Sequence, residues 1–279
     1  WYTISGWGPG LRGTSLIASR GCPFHCTYCQ PTLDLLFGKK VRRRNVDDIL
    51  GELLHLKKTY AINAAFFEDD TFILNRRWVH EMCDKMKESG LNLKWGCNAR
   101  ANSIDEDLIS KMAAGGLVQL NIGIESATQR ILDDVYDKGI TVDDVRRAVQ
   151  IGRRFGVKMC GYVMIGAPTE TIQEINNTIR FVNKLPLDEI SYSITTPLPG
   201  TRLWSKTQGM IKKSVSRFDY YHNSIYDSSQ VVPSRKLEWL KRKAYLSFYF
   251  LSLKRLRHTL IWLLTPTGIY KTVSRLKRF

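Results

Sequence analysis

Between Thr14 and Thr196 short apolar runs alternate with longer stretches in which apolar residues recur every three or four positions. The runs fall at 15–19, 63–67, 93–97, 118–124, 159–165 and 190–195, and the longer patterns at 46–58, 76–88, 105–114, 142–155 and 171–184. The former read as strands and the latter as helices with one buried face. Ser103-x-x-Glu106 has the form of a capping box opening the third helix, and Gly115, Gly116 and Gly156 fit as helix stops. Strand–helix alternation of this kind predicts a parallel sheet with right-handed crossovers. An open doubly wound sheet and an incomplete barrel both satisfy it. No repeat at a period of 20–50 residues and no low-complexity segment is evident.

The alternation stops after Pro197-Leu198-Pro199-Gly200. Residues 205–233 read as irregular, and from Leu237 the helical period returns. Leu246, Tyr249, Phe250, Leu253, Leu256, Leu260 and Leu264 form a stripe, with Lys254, Arg255, Arg257 and His258 on the other side. A second short amphipathic segment, 269–279, follows a break at 265–268. Charges interrupt the stripe well before the roughly 20 apolar residues of a membrane span.

Charge sharpens this division. The chain of 279 residues carries a formal net charge of +16. Residues 205–279 hold 16 Lys and Arg against Asp219, Asp227 and Glu238, a balance of +13, which leaves +3 for the rest. The basic character therefore belongs to the tail. Hydrophobic content of 43% and charged content of 24% are those of a globular chain large enough for a full core. The first residue is Trp1, which reads as a trimmed or processed chain with a segment missing upstream. No secretory pattern precedes the first motif, so a cytoplasmic location is expected, peripheral to a membrane if the tail docks on one.

Six cysteines do not form a disulfide framework here. Three crowd into Cys22-Pro-Phe-His-Cys26-Thr-Tyr-Cys29, directly after the first strand, while Cys83, Cys97 and Cys160 are scattered and read as core residues. Three thiolates at this spacing can wrap one face of a metal centre, one ligand short of a closed zinc or iron–sulfur site. Zinc, with His25 or a remote cysteine as fourth ligand, is the plainer reading, yet no second knuckle pair accompanies it. A redox pair of Cys26 and Cys29 would leave Cys22 unexplained.

Cys-x3-Cys-x2-Cys with an aromatic residue, Tyr28, before the last cysteine resembles the signature of the radical S-adenosylmethionine superfamily. The longer string from Ser19 to Cys29 resembles the branch associated with a cobalamin-binding domain, and the resemblance extends to about Arg202. It implies a partial (β/α)6 TIM-like barrel with a [4Fe–4S] cluster on Cys22, Cys26 and Cys29. On this reading 1–14 is a linker or the remnant of an upstream domain, 15–204 the barrel, and 205–279 a basic helical extension. The resemblance further implies S-adenosylmethionine bound around Tyr28. Glu68, Asp69 and Asp70 are candidates for its amine, Asn98 and Arg100 for its carboxylate, and Glu125 and Ser126 for its ribose. Lys138 stands where relatives often carry a basic residue, and Gly166, Pro168 and Leu198 lie in segments that frame adenine. Taken singly, the acidic trio could be a helix N-terminal cluster, and the glycines and prolines plain turn formers. All of them nevertheless fall at C-terminal ends of strands, where parallel α/β folds gather function.

The chemistry so implied is reductive cleavage of S-adenosylmethionine to a 5′-deoxyadenosyl radical, for methylation or rearrangement of an unactivated carbon in a hydrophobic or lipid-like substrate. The electron would come from a flavodoxin- or ferredoxin-type protein. Cobalamin, if used, would be bound by a domain outside this chain, which has neither Asp-x-His-x-x-Gly nor a Gly-rich dinucleotide loop. For the tail, an anionic membrane surface, a cup for a lipid-like substrate and simple packing on the barrel stay open. RNA, and with it an RNA-modifying activity, fits less well, since no small RNA-binding β-barrel follows the core and the stripe is rich for a phosphate-binding face. A non-enzymatic zinc protein is the remaining rival.

Overall fold

The computed structural model describes residues 2–3, 11–29, 32–211, 214, 232–252, 255–257, 260 and 269. The first half runs β1 (Tyr2–Thr3), β2 (Arg12–Leu16), β3 (Ser19–Arg20), α1 (Thr32–Phe37), β4 (Arg42–Arg43), α2 (Val46–Tyr60), β5 (Ala64–Phe67), α3 (Arg76–Glu88), β6 (Lys94–Ala99) and α4 (Glu106–Ala114). It continues with β7 (Leu117–Glu125), α5 (Val142–Arg154), β8 (Lys158–Ile165), α6 (Ile172–Lys184), β9 (Glu189–Ile194), α7 (Arg202–Thr207) and α8 (Ser234–Phe250).

Strands β2, β5, β6, β7, β8 and β9 lie side by side in that order, all parallel, with β1 antiparallel on the outer edge of β2. They curl into a half-barrel, the incomplete barrel of the two architectures the alternation allows. In-register parallel pairs put Leu16, Phe67, Cys97 and Leu120 on one face, and these are buried against the helices. The opposite, concave face carries Ser15, Phe66, Gly96, Asn98, Gln119, Asn121 and Tyr162. This separation follows from the two-residue period of a strand.

Three expectations need correction. The run at 15–19 is not one strand. β2 ends at Leu16, and the Ala18 N–H leaves the sheet to donate to Asp69 Oδ2 at 3.1 Å, so Ser19 starts a separate two-strand ribbon with β4. The cap of α4 is Asp105, whose Oδ1 accepts from Leu108 N–H, and Ser103 sits in the turn before it. Complete capping boxes occur instead at Thr141/Asp144 and Thr171/Glu174, where the N3 residue is acidic and reaches back to the cap.

The third correction concerns the tail. The face of α8 turned to the barrel holds Leu237, Leu240, Ala244 and Phe248, while Leu246 and Phe250 are 58% and 53% exposed. Tyr245 explains the register. Its hydroxyl accepts from Tyr192 N–H at 2.8 Å and reaches Tyr192 O at 3.3 Å, covering the otherwise open edge of β9. Arg255 is not on a solvated outer face. Its Nη2 donates to Asn183 O and Leu185 O at the C-terminal end of α6, and its guanidinium stacks 3.9 Å from the Phe248 ring centroid. Leu253, Lys254, His258, Leu264, the break at 265–268 and the segment 270–279 lie outside the described residues.

Candidate functional site

The segment carrying Cys22, Cys26 and Cys29 crosses the C-terminal edge of the sheet and is pinned from three directions. Gly21 enters it at φ +102°, where a Cβ would lie 2.8 Å from Lys40 O, so only glycine fits. Its N–H points to Asp70 Oδ2 at 3.4 Å, and its carbonyl accepts from Thr71 Oγ1 at 3.0 Å, which ties the segment to the end of β5. Thr27 donates through N–H to Tyr136 O and through Oγ1 to Val135 O, in the turn after β7. Leu203 N–H, at the start of α7, donates to Thr27 O at 2.9 Å.

Cys26 is buried, while Cys22 and Cys29 are partly exposed. Burial first, then the neighbouring Cys26 and Glu125, push the Cys29 thiol up to about 12, and burial likewise raises Cys22. Thiols so placed ionise readily only around a cation, whose charge reverses the local balance. A soft metal cluster with thiolate ligands fits this donor set. Among the described residues no three His, Cys, Asp or Glu side chains converge as a single-ion site requires. Cys83, Cys97 and Cys160 are buried in the core, as expected, with thiols raised mainly by burial.

Beside the cysteines lies a buried polar triad. Lys138 Nζ donates to Glu125 Oε1 at 2.6 Å and to Tyr28 Oη at 3.0 Å, and Tyr28 Oη donates to Glu125 Oε1 at 3.2 Å. The Lys138 and Glu125 side chains are 6% and 8% exposed. Burial, with the Glu125 charge second, holds the Tyr28 phenol well above its ordinary range. The end of β7 makes this possible. Its register slips between Gly123 and Glu125, and Glu125 adopts a left-handed φ of +59°. A Cβ on Gly123 would stand 2.4 Å from Glu125 Oε1 and 2.6 Å from Lys138 Nζ. Arg100, after β6, closes the same corner by contacts to Cys26, Lys138 and Gly139.

The other sequence candidates divide. Glu68 and Asp70 are exposed at the end of β5, whereas Asp69 is buried beneath Ala18 N–H and its carboxyl is raised by that burial. Ser126 is fully buried against Thr178 of α6, and its Oγ accepts from Thr128 N–H, so it shapes the turn after β7. Asn98 Oδ1 accepts from Asn121 Nδ2 at 3.4 Å on the concave face, away from the Arg100 guanidinium contacts. Gly166 N–H is bound by Glu170 Oε2 at 2.7 Å, Pro168 is half-buried in the same turn, and Leu198 O accepts from both Thr201 N–H and Oγ1.

Glu170, absent from the sequence candidates, stands in the same turn as Gly166 and Pro168. It accepts from Gly166 and Ala167 N–H and so folds the turn after β8, with burial lifting its carboxyl to about 8. The amide chain Gln119–Asn121–Tyr162 was also missed. Gln119 Nε2 donates to Asn121 Oδ1 at 2.9 Å, and Asn121 Nδ2 to Tyr162 Oη at 2.8 Å. Its only sequence signal is polar residues at alternate positions inside apolar strands.

A parallel half-barrel with a three-cysteine segment at the C-terminal edge of its strands defines a class of cluster-binding α/β enzymes. The family comparison names it: the Radical SAM superfamily model matches residues 16–182, and the chain belongs to that superfamily. It is 35% identical over 237 residues to an uncharacterized methyltransferase of Pyrococcus horikoshii, a match covering 84% of this chain and 50% of that protein. It is 28% identical over 229 residues to cytidylyl-2-hydroxyethylphosphonate methyltransferase of Streptomyces wedmorensis, covering 78% of this chain and 42% of that protein. Among solved structures, the radical S-adenosylmethionine methyltransferase TsrM from Kitasatospora setae, with cobalamin and a [4Fe–4S] cluster bound, shares the fold. Its TM-score is 0.63 at 18% identity, over 72% of this chain and 41% of that one. The chain thus spans about half the length of the first curated relative.

Proposed function

We propose that this chain is the catalytic barrel of a radical S-adenosylmethionine methyltransferase acting on an unactivated carbon. The observation that carries the reading is the placement of the Cys22–Cys29 segment beside the Tyr28–Glu125–Lys138 triad at one edge of the sheet. Cys22, Cys26 and Cys29 are the ligands of a [4Fe–4S] cluster. When bound, that cluster supplies the electron that breaks a carbon–sulfur bond of S-adenosylmethionine. Glu68 and Asp70, exposed beside the cysteine segment, receive the amine of S-adenosylmethionine, and Asp69 holds the backbone that carries them. Glu125, fixed by Lys138 Nζ and Tyr28 Oη, presents its carboxylate to the ribose. The turns at Gly166, Pro168 and Leu198 frame the adenine. Cobalamin is the methyl carrier, bound by a domain outside these residues, and a flavodoxin- or ferredoxin-type protein is the reductant.

The concave face bears on the substrate. Asn98, Gln119, Asn121 and Tyr162 line it with amide and hydroxyl groups, which are costly to cover with hydrocarbon unless they keep their hydrogen bonds. This favours a substrate with hydrogen-bonding groups over a purely aliphatic one. Anaerobic reconstitution tests the reading. About four irons and four sulfides per chain are expected, the stoichiometry of one cubane. Stoichiometric zinc in their place would overturn it.

The outer side of α8 supports a second role, docking on an anionic membrane surface. Trp239 is 50% exposed, with Lys236 Nζ 4.4 Å and Lys243 Nζ 5.3 Å from its ring centroid, and Leu251 is 80% exposed. No helix among the described residues is long and apolar enough to cross a membrane. An aromatic ring flanked by lysines suits the interfacial zone, where each basic residue contributes roughly 1 kcal/mol near anionic lipid. The full chain should sediment with anionic but not neutral vesicles, salt-sensitively, and Trp239→Ser with Leu246→Ser should abolish this. Truncation before α8 is unsuitable, because Phe248 and Tyr245 complete the barrel edge. Absence of sedimentation by the unaltered chain would sink the membrane role.

A further inference from the structure

Arg100 projects from the turn after β6 straight at the cysteine segment. Its Nη1 donates to Cys26 Sγ at 3.5 Å. Its Cζ stands 3.6 Å from the centroid of the Phe24 ring, in the same segment. Nη2 donates to Lys138 O and, at 3.3 Å, to Gly139 O, and Nε to Asn102 Oδ1 at 3.4 Å. The guanidinium is therefore held on its edges by three elements and on its face by an aromatic ring. A carboxylate clamp needs two parallel N–H groups directed at one ligand. Here the N–H groups diverge toward a sulfur, two carbonyls and an amide.

We propose that Arg100 is a positioning residue that sets the redox poise of the cluster through an N–H donated to the Cys26 sulfur, rather than a clamp for the carboxylate of S-adenosylmethionine. The inference rests on the cluster reading above and deepens it. Hydrogen bonds to ligand sulfurs and nearby positive charge stabilise the more negative, reduced form of an iron–sulfur centre and raise its potential. Cys26 is the buried member of the three, where such a charge is least screened by water. The Phe24 stack and the two carbonyls fix the guanidinium, so its field stays aimed at one sulfur.

The test compares Arg100→Met and Arg100→Lys with the unaltered chain after anaerobic reconstitution. Iron and sulfide content, a spectroscopically monitored redox titration without S-adenosylmethionine, and the affinity for S-adenosylmethionine are read in each. The expected result is a full cluster whose midpoint moves to more negative potential in Arg100→Met and partly back in Arg100→Lys, with affinity for S-adenosylmethionine unchanged. An unmoved midpoint with a full cluster overturns the proposal. So does lost affinity at an unmoved midpoint, which makes Arg100 a ligand clamp. Failure of both variants to assemble a cluster also overturns it, leaving Arg100 a strap of the segment. An unaltered chain that assembles no cluster overturns the parent reading first and this one with it.

Discussion

Cys26→Ala should emerge from anaerobic reconstitution without a [4Fe–4S] cluster. Cys26 is the buried cysteine of the three, its carbonyl accepts from Cys29 N–H at 3.1 Å, and its sulfur receives the Arg100 N–H. Removing its thiol leaves two ligands, too few to hold a cubane. Cys22→Ala and Cys29→Ala should lose the cluster too. Cys83→Ala is the control. Cys83 lies on α3, buried against Gly115 at the end of α4 and apart from the segment, so its loss costs a little packing and no iron. Iron and sulfide analysis reads all four variants. A full cluster in Cys26→Ala would contradict the ligand assignment.

Lys138→Met should be the most destabilising single change at the site. It strands the Glu125 carboxylate, whose side chain is 8% exposed, without its cation. Breaking a buried pair from one side costs roughly 3–5 kcal/mol, because the remaining charge is left uncompensated in a low dielectric. Glu125 also sits at φ +59°, a conformation the ion pair helps to hold. The double variant Glu125→Gln with Lys138→Met should recover most of the loss, since no uncompensated charge remains. Urea unfolding of the two single variants and the double variant measures the coupling directly. A Lys138→Met chain within about 1 kcal/mol of the parent would show that the pair behaves as an exposed one.

The strand–helix order was legible because each sheet strand buries one face against a helix, which writes the pattern into neighbouring residues. Its failures have local causes. The run at 15–19 looked continuous, but the buried Asp69 carboxylate pulls Ala18 out of the sheet, a contact across 51 positions. In the tail, Leu246 and Phe250 share a helical period as good as that of the true packing face. What selects the face is Tyr245 covering the β9 edge, and no pattern within α8 records an edge elsewhere. The three cysteines were readable because their spacing is itself the site. Tyr28, Glu125 and Lys138 came from resemblance, and their hydrogen bonding into one triad depends on a strand-end register slip. The Arg100 contact to Cys26 spans 74 positions and left no mark in the sequence.

Under the proposed function the cysteine segment and the residues around it bring S-adenosylmethionine to a reducible cluster. The most direct measurement is chromatography of S-adenosylmethionine products from the reconstituted chain after chemical reduction, with Cys26→Ala alongside. The unaltered chain should cleave S-adenosylmethionine to methionine and 5′-deoxyadenosine only when reduced, and Cys26→Ala should leave it whole. Intact S-adenosylmethionine beside a complete, reduced cluster would contradict the proposed function.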